Sequence, residues 1–169
     1  MNEDVLFELA DRLRNRYYGK YRGIVTDVDT ATLRIKATVP SVLGGTPTGW
    51  CQPCVPYAGP NVGFFMVPDV GAAVWIEFEG GDVSYPIWTG CFWRAGELPS
   101  DAKPTTRGVV TAAPHVLLFD DDADAVKLGD SNGGTVVLDG DGVTSTRGGM
   151  KVAVGTSAVS INDDAFKVS

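Results

Sequence analysis

The last third of the chain consists of strands too thin to fold alone. Val116-x-Leu118, Val126-x-Leu128 and Val136-x-Leu138 recur every ten residues. Further on, Val152-x-Val154, Val159-x-Ile161 and Phe166-x-Val168 recur every seven. Turn formers separate them: Asp120 to Asp124, Gly129 to Gly134, Asp139 to Gly142, Gly148 with Gly149, and Asn162 to Asp164. Apolar residues at a period of two mark a strand with one buried face and one wet face. Each strand here offers only two of them. Ordering ten residues costs more than burying two aliphatic groups returns. A unit this thin must stack or wind with copies. Three chains wound about one axis would pair the strand edges and bring the apolar pairs to the centre. The spacing therefore predicts an intertwined trimeric β-helix over residues 115–169, with those side chains as its core.

Upstream the pattern is different. Residues 3–17 read as a helix, with Val5, Leu6, Leu9 and Leu13 along one face. Glu3 and Asp4 in its first turn and Arg12, Arg14 and Arg16 in its last suit the helix dipole. That stripe must bury against something, either its own domain or a partner. A strand is expected over Tyr21–Val28. Leu33, Ile35, Ala37 and Val39 then alternate with Arg34, Lys36 and Thr38 until Pro40 ends the ladder. Further strands are expected near Trp50–Pro56 and Val62–Val67, over Ala73–Glu79 with Val74, Ile76 and Phe78 inward, and over Pro86–Trp93. About five short strands with one wide loop suggest a small closed barrel. Residues 94–114, with Gly96, Pro99, Pro104 and Pro114, read as a linker. The domain reading is thus a helix over 1–20, a barrel over 21–93, a linker over 94–114 and the trimeric needle over 115–169.

The formal net charge of −7 argues against a nucleic-acid partner, because phosphate neutralisation supplies most of such affinity. From His115 onward nine acidic residues face four basic ones. No apolar run reaches the roughly 20 residues that cross a bilayer, and the N-terminus does not read as a signal peptide. The chain is expected to assemble in the cytoplasm.

Several residues could carry chemistry. Cys51 and Cys54 have CxxC spacing, but their neighbours read as strand, whereas redox use wants a helix N-terminus. A structural zinc site needs four ligands, and only Cys91 and His115 could complete one. Buried, inert thiols are the expectation. The run Asp120, Asp121, Asp122 and Asp124 lacks the spacing of a calcium loop and reads as a solvated turn. His115 has no adjacent nucleophile motif. No enzyme activity, cofactor or metal is expected. A second reading is a binding module for single-stranded nucleic acid or a saccharide, using Trp50, Trp75, Trp88 and Trp93 as stacking rings. A third is a metal-dependent protein using the cysteines.

Four stretches carry a family resemblance: Tyr21-Arg22-Gly23-Ile24-Val25; the strand from Leu33 to Val39; the run from Pro68-Asp69-Val70-Gly71 through Val74-Trp75-Ile76-Glu77-Phe78 to Gly80-Gly81-Asp82; and Pro86-Ile87-Trp88-Thr89-Gly90. In that order they resemble the baseplate protein V family of contractile-tailed phages and the C-terminal part of VgrG proteins of type VI secretion. The resemblance implies an OB-fold ring in a homotrimer with a β-helical needle below. It implies a separate hub protein on the N-terminal side, and the barrel with the Val5, Leu6, Leu9 and Leu13 face of the helix is expected to attach to it. A separate PAAR-like tip protein would cap the far end, since the His-x-His iron motif of some relatives is missing. The function implied is the structural central spike of a contractile injection machine, meeting a target membrane only while piercing it. Its place would be a virion tail baseplate or a secretion-type or extracellular particle.

Overall fold

The computed structural model describes residues 3–163 and 165–168, leaving aside the side chains at 3, 4, 11–13 and 167. The chain divides into two units, Met1–Glu97 and Leu98–Ser169.

The first unit begins with helix α1, Glu3–Arg14. Strand β1, Tyr21–Val28, follows, then β2, Ile35–Thr38, and the short helix α2, Pro40–Leu43, which starts on the proline that ends the strand. Three two-residue strands come next: β3 at Gln52–Pro53, β4 at Ala58–Gly59 and β5 at Val62–Gly63. Strands β6, Ala73–Phe78, and β7, Pro86–Cys91, complete the unit. The main sheet runs β2-β1-β6-β7-β3, antiparallel except for the parallel β3–β7 pair. A bridge between Ile35 and Cys51 joins the two ends of that order. An OB-like barrel results, with a separate hairpin formed by β4 and β5.

Alternation decides which side chains fill the barrel. Ile35, Ala37 and Val39 from the second strand region and Val74, Ile76 and Phe78 from β6 are buried, with Val25, Cys51 and Trp88. Leu33 does not join them. It sits at φ +54° in the β1–β2 turn and is part exposed, so the strand begins at Ile35. Asp29 carries that turn, its side chain accepting from Ala31 N–H at 3.0 Å and from the Thr32 hydroxyl. The expected strands at 50–56 and 62–67 shrink to two residues each, with single backbone hydrogen bonds from Cys51, Cys54 and Phe64 beside them instead of a continued ladder.

The second unit is one antiparallel meander of eight strands: β8 Thr106–Val110, β9 Val116–Asp120, β10 Ala125–Gly129, β11 Thr135–Asp139, β12 Gly142–Arg147, β13 Met150–Gly155, β14 Val159–Ile161 and β15 Phe166–Val168. Two of these were not expected. Strand β8 lies inside the stretch read as a linker, and β12 lies between turn glycines with only Val143 as an apolar signal. Each pairs register for register with a neighbour that does carry the pattern. Each ladder joins strands that follow one another in sequence.

Candidate functional site: an uncovered apolar face

Residues directly opposite in an antiparallel ladder share a face of the sheet. Following the pairs across the meander gives one continuous set. Phe119 opposes Val126, Val126 opposes Leu138, Leu138 opposes Val143, Val143 opposes Val154, Val154 opposes Val159, and Val159 opposes Val168. A second row runs beside it from Leu117 through Leu128, Val136, Ser145, Val152 and Ile161 to Phe166. The two rows form an apolar face interrupted by one hydroxyl, that of Ser145.

The opposite face is small or polar over most of its length. It carries Lys127, Thr144, Thr146, Lys151, Ala153 and Ser160. The apolar face is the open one: Leu128 is 57% exposed, Val154 49% and Phe166 62%. No described residue from 98 to 168 is buried. A sheet with an apolar side normally packs that side on something.

Ten of the expected core residues lie on this face: Val126, Leu128, Val136, Leu138, Val152, Val154, Val159, Ile161, Phe166 and Val168. Val116 and Leu118 do not. They oppose Gly129 and Lys127 on the other side, and Leu117 with Phe119 takes their place. The run Val116-Leu117-Leu118-Phe119 is apolar at every position, so its phase was ambiguous; the step from 118 to 126 only mimics the spacing of the later pairs. Val143 was also passed over, and its signal was the alternation Val143-Thr144-Ser145-Thr146.

Acidic side chains shape the turns that space the strands. Asp120 accepts from the backbone N–H of Asp122 at 3.1 Å and of Ala123 at 3.2 Å, Asp121 pairs with Arg107, and Asp122 accepts from Thr105 at 2.7 Å. Asp130 accepts from Gly134 N–H and Asn132 N–H, both at 2.8 Å, and pairs with Arg147 at 2.5 Å. Those backbone donors first, and the guanidinium after them, hold the Asp130 carboxyl below its ordinary range.

In the barrel unit, Val5, Leu6 and Leu9 of α1 are exposed, and Leu13 lies outside the described side chains. The helix root is fixed on the barrel. Tyr17 N–H donates to the Gly81 carbonyl at 2.8 Å, Arg16 pairs with Asp82 at 3.0 Å, and Lys20 bonds Glu77 at 2.8 Å and Thr89 at 2.9 Å.

The chemistry-bearing residues are dispersed. Cys51 is buried and shares a hydrogen bond with the Thr48 hydroxyl at 3.2 Å, and desolvation pushes its thiol up. Cys54 and Cys91 are exposed free thiols. Among the described residues no group of three or more His, Cys, Asp or Glu side chains comes together as a cation cage. The tryptophans do not form one platform. Trp88 is in the core, Lys36 stands 4.7 Å over Trp50, Arg22 stands 5.7 Å over Trp75, and Trp93 is exposed.

The two units are thus an OB-like barrel and a meander with one exposed apolar face. Residues 21–93 match the family of the type VI secretion system/phage-baseplate injector OB domain, and this domain belongs to that baseplate and VgrG-like family. The match spans the whole barrel, from the first residue of β1 to just past β7. It supports a structural role in a contractile injection system, as a component associated with a baseplate. No curated protein matches the chain.

Proposed function

We propose that the chain is the central spike of a contractile injection machine and acts as a homotrimer without catalysis of its own. The observation that carries this is the apolar face that crosses all of β9 to β15 with none of its described residues buried. Three such sheets, arranged with that face inward, enclose a shared core and leave the Lys- and Thr-bearing face to solvent. Each ladder then stays within its own chain, and three sheets close a prism instead of interlacing strand by strand. Load along the axis is spread over many backbone hydrogen bonds.

The barrels, at the other part of the chain, attach to a separate hub protein, and the end at β15 takes a separate tip protein. Assembly takes place in the cytoplasm, and the finished particle is a phage tail or a related secretion or extracellular machine. The test is the mass in solution. Multi-angle light scattering of the full chain is expected to give three times 17.9 kDa. A single-chain mass at micromolar concentration overturns the reading.

A further inference from the structure

Within the described residues of the barrel unit two apolar surfaces are exposed. One is the α1 stripe, with Val5 at 56% exposure and Leu9 at 54%. The other is a groove of about 720 Å³ between the β1–β2 loop at Leu33 and the segment that carries Tyr57, Phe64, Phe65 and Met66. Phe65 at its rim is 76% exposed. None of the residues lining the groove is charged, in a chain where 21% of residues are. A charged occupant would lose its hydration there and meet no counter-charge, so the groove fits an apolar one.

The helix offers such an occupant. Val5, Leu6 and Leu9 lie within one stripe, and Arg14 falls outside it. The root of the helix is held at Tyr17 and Arg16, where Gly81 at φ +76° packs so closely that a Cβ would stand 3.0 Å from Tyr17 N. The helix is therefore an arm on a fixed base, with Val5, Leu6 and Leu9 exposed on its apolar side.

We infer that α1 of one copy seats its Val5–Leu6–Leu9 stripe in the Phe64–Phe65–Met66 groove of the next copy. The inference rests on the trimeric reading above. A helix entering a groove joins two different surfaces, and a contact of that kind leaves no surplus patch only when it closes into a ring. A three-fold ring satisfies three helices and three grooves together. The arms then tie the barrels to one another independently of the ladder unit.

The test uses the full chain with Cys54→Ser and Cys91→Ser, leaving Cys51 in the core. Leu9→Cys and Met66→Cys are added, and the protein is treated with a short bis-maleimide before denaturing electrophoresis. Covalent dimers and trimers are expected, and neither added cysteine alone should yield a trimer. Adding Phe65→Asp should cut the cross-linked fraction about tenfold. A sample of trimeric mass whose chains stay uncross-linked overturns the exchange and leaves the trimer standing. A cross-link confined within single chains overturns it too, because it shows the arm folded on its own barrel. A single-chain mass by light scattering removes the exchange together with the trimer.

Discussion

Gly142 holds φ +136°, and a Cβ there would stand 2.1 Å from the carbonyl oxygen of Val154. Only glycine tolerates both the backbone angle and the approach. Gly142→Ala must therefore open the β12–β13 ladder at its end, at a cost of about 1–3 kcal/mol for the angle alone. Thermal melting should show a lower Tm, and an unchanged Tm would mean that the two strands do not meet there. In the barrel, Ile76 and Ile35 are fully buried on facing parts of one core. Ile76→Ala removes three carbons from a closely packed interior and should lower stability by about 2–5 kcal/mol in urea unfolding monitored by tryptophan fluorescence. The barrel residues were legible in the sequence because alternation there has one phase: Val74, Ile76 and Phe78 point in, and Trp75 and Glu77 do not. Leu33 was misread because it continues that phase by two residues while its backbone has already entered the left-handed region of a turn. Nothing in a leucine announces φ +54°; the signal was Asp29, whose side chain closes the turn.

At the scale of the element, each strand of the meander is placed by the turn before it. The Asp130 turn shows how. Its carboxylate gathers two backbone N–H groups and reaches Arg147 on β12, so it ties the β10–β11 turn to a third strand. The folded state favours the ionised form. Its contribution is therefore complete above the ordinary carboxylate range and is lost as pH falls below about 4. Asp82 behaves likewise, held low first by the backbone N–H of Ser84 and further by Arg16. Melting temperature should fall on acidification below pH 4, and Asp130→Asn should make that fall shallower. An identical pH profile for the variant would separate the turn from acid sensitivity. The existence of six of the eight strands could be read from the sequence, but the face each residue occupies could not always be. Val116 to Phe119 is apolar throughout, and only pairing with β10 decides that Leu117 and Phe119 join the common face. β8 and β12 escaped notice because Thr106–Val110 and Gly142–Arg147 hold few apolar residues; neighbours supply what their own sequence lacks. The expectation of buried thiols holds for Cys51 and fails for Cys54 and Cys91, which are exposed: the CxxC spacing says nothing of which side of the sheet each residue faces.

At the scale of the whole molecule, the decisive property is that neighbouring residues on one strand face different worlds. Leu128 lies on the apolar face and Lys127 on the other. If three sheets meet along the apolar face, Leu128→Asp places three carboxylates at the axis, where desolvation and mutual repulsion oppose association. Lys127→Asp makes a larger charge change, from a cation to an anion, but on the solvent side. Light scattering should give a single-chain mass for the first variant and a trimer for the second. The barrel core involves neither residue, so its tryptophan signal should stay native in both. Ser145 supplies the opposite sign. It lies between Val136 and Val152 on that face, the one hydroxyl in its two apolar rows. Ser145→Val removes a polar group from the proposed axis and adds a β-branched side chain suited to a strand. Each kcal/mol gained should raise the Tm of the trimer by about 2–4 °C. Should Leu128→Asp stay trimeric, or Ser145→Val melt lower than the parent, the apolar face would have to look outward, and the sheets could not be meeting through it.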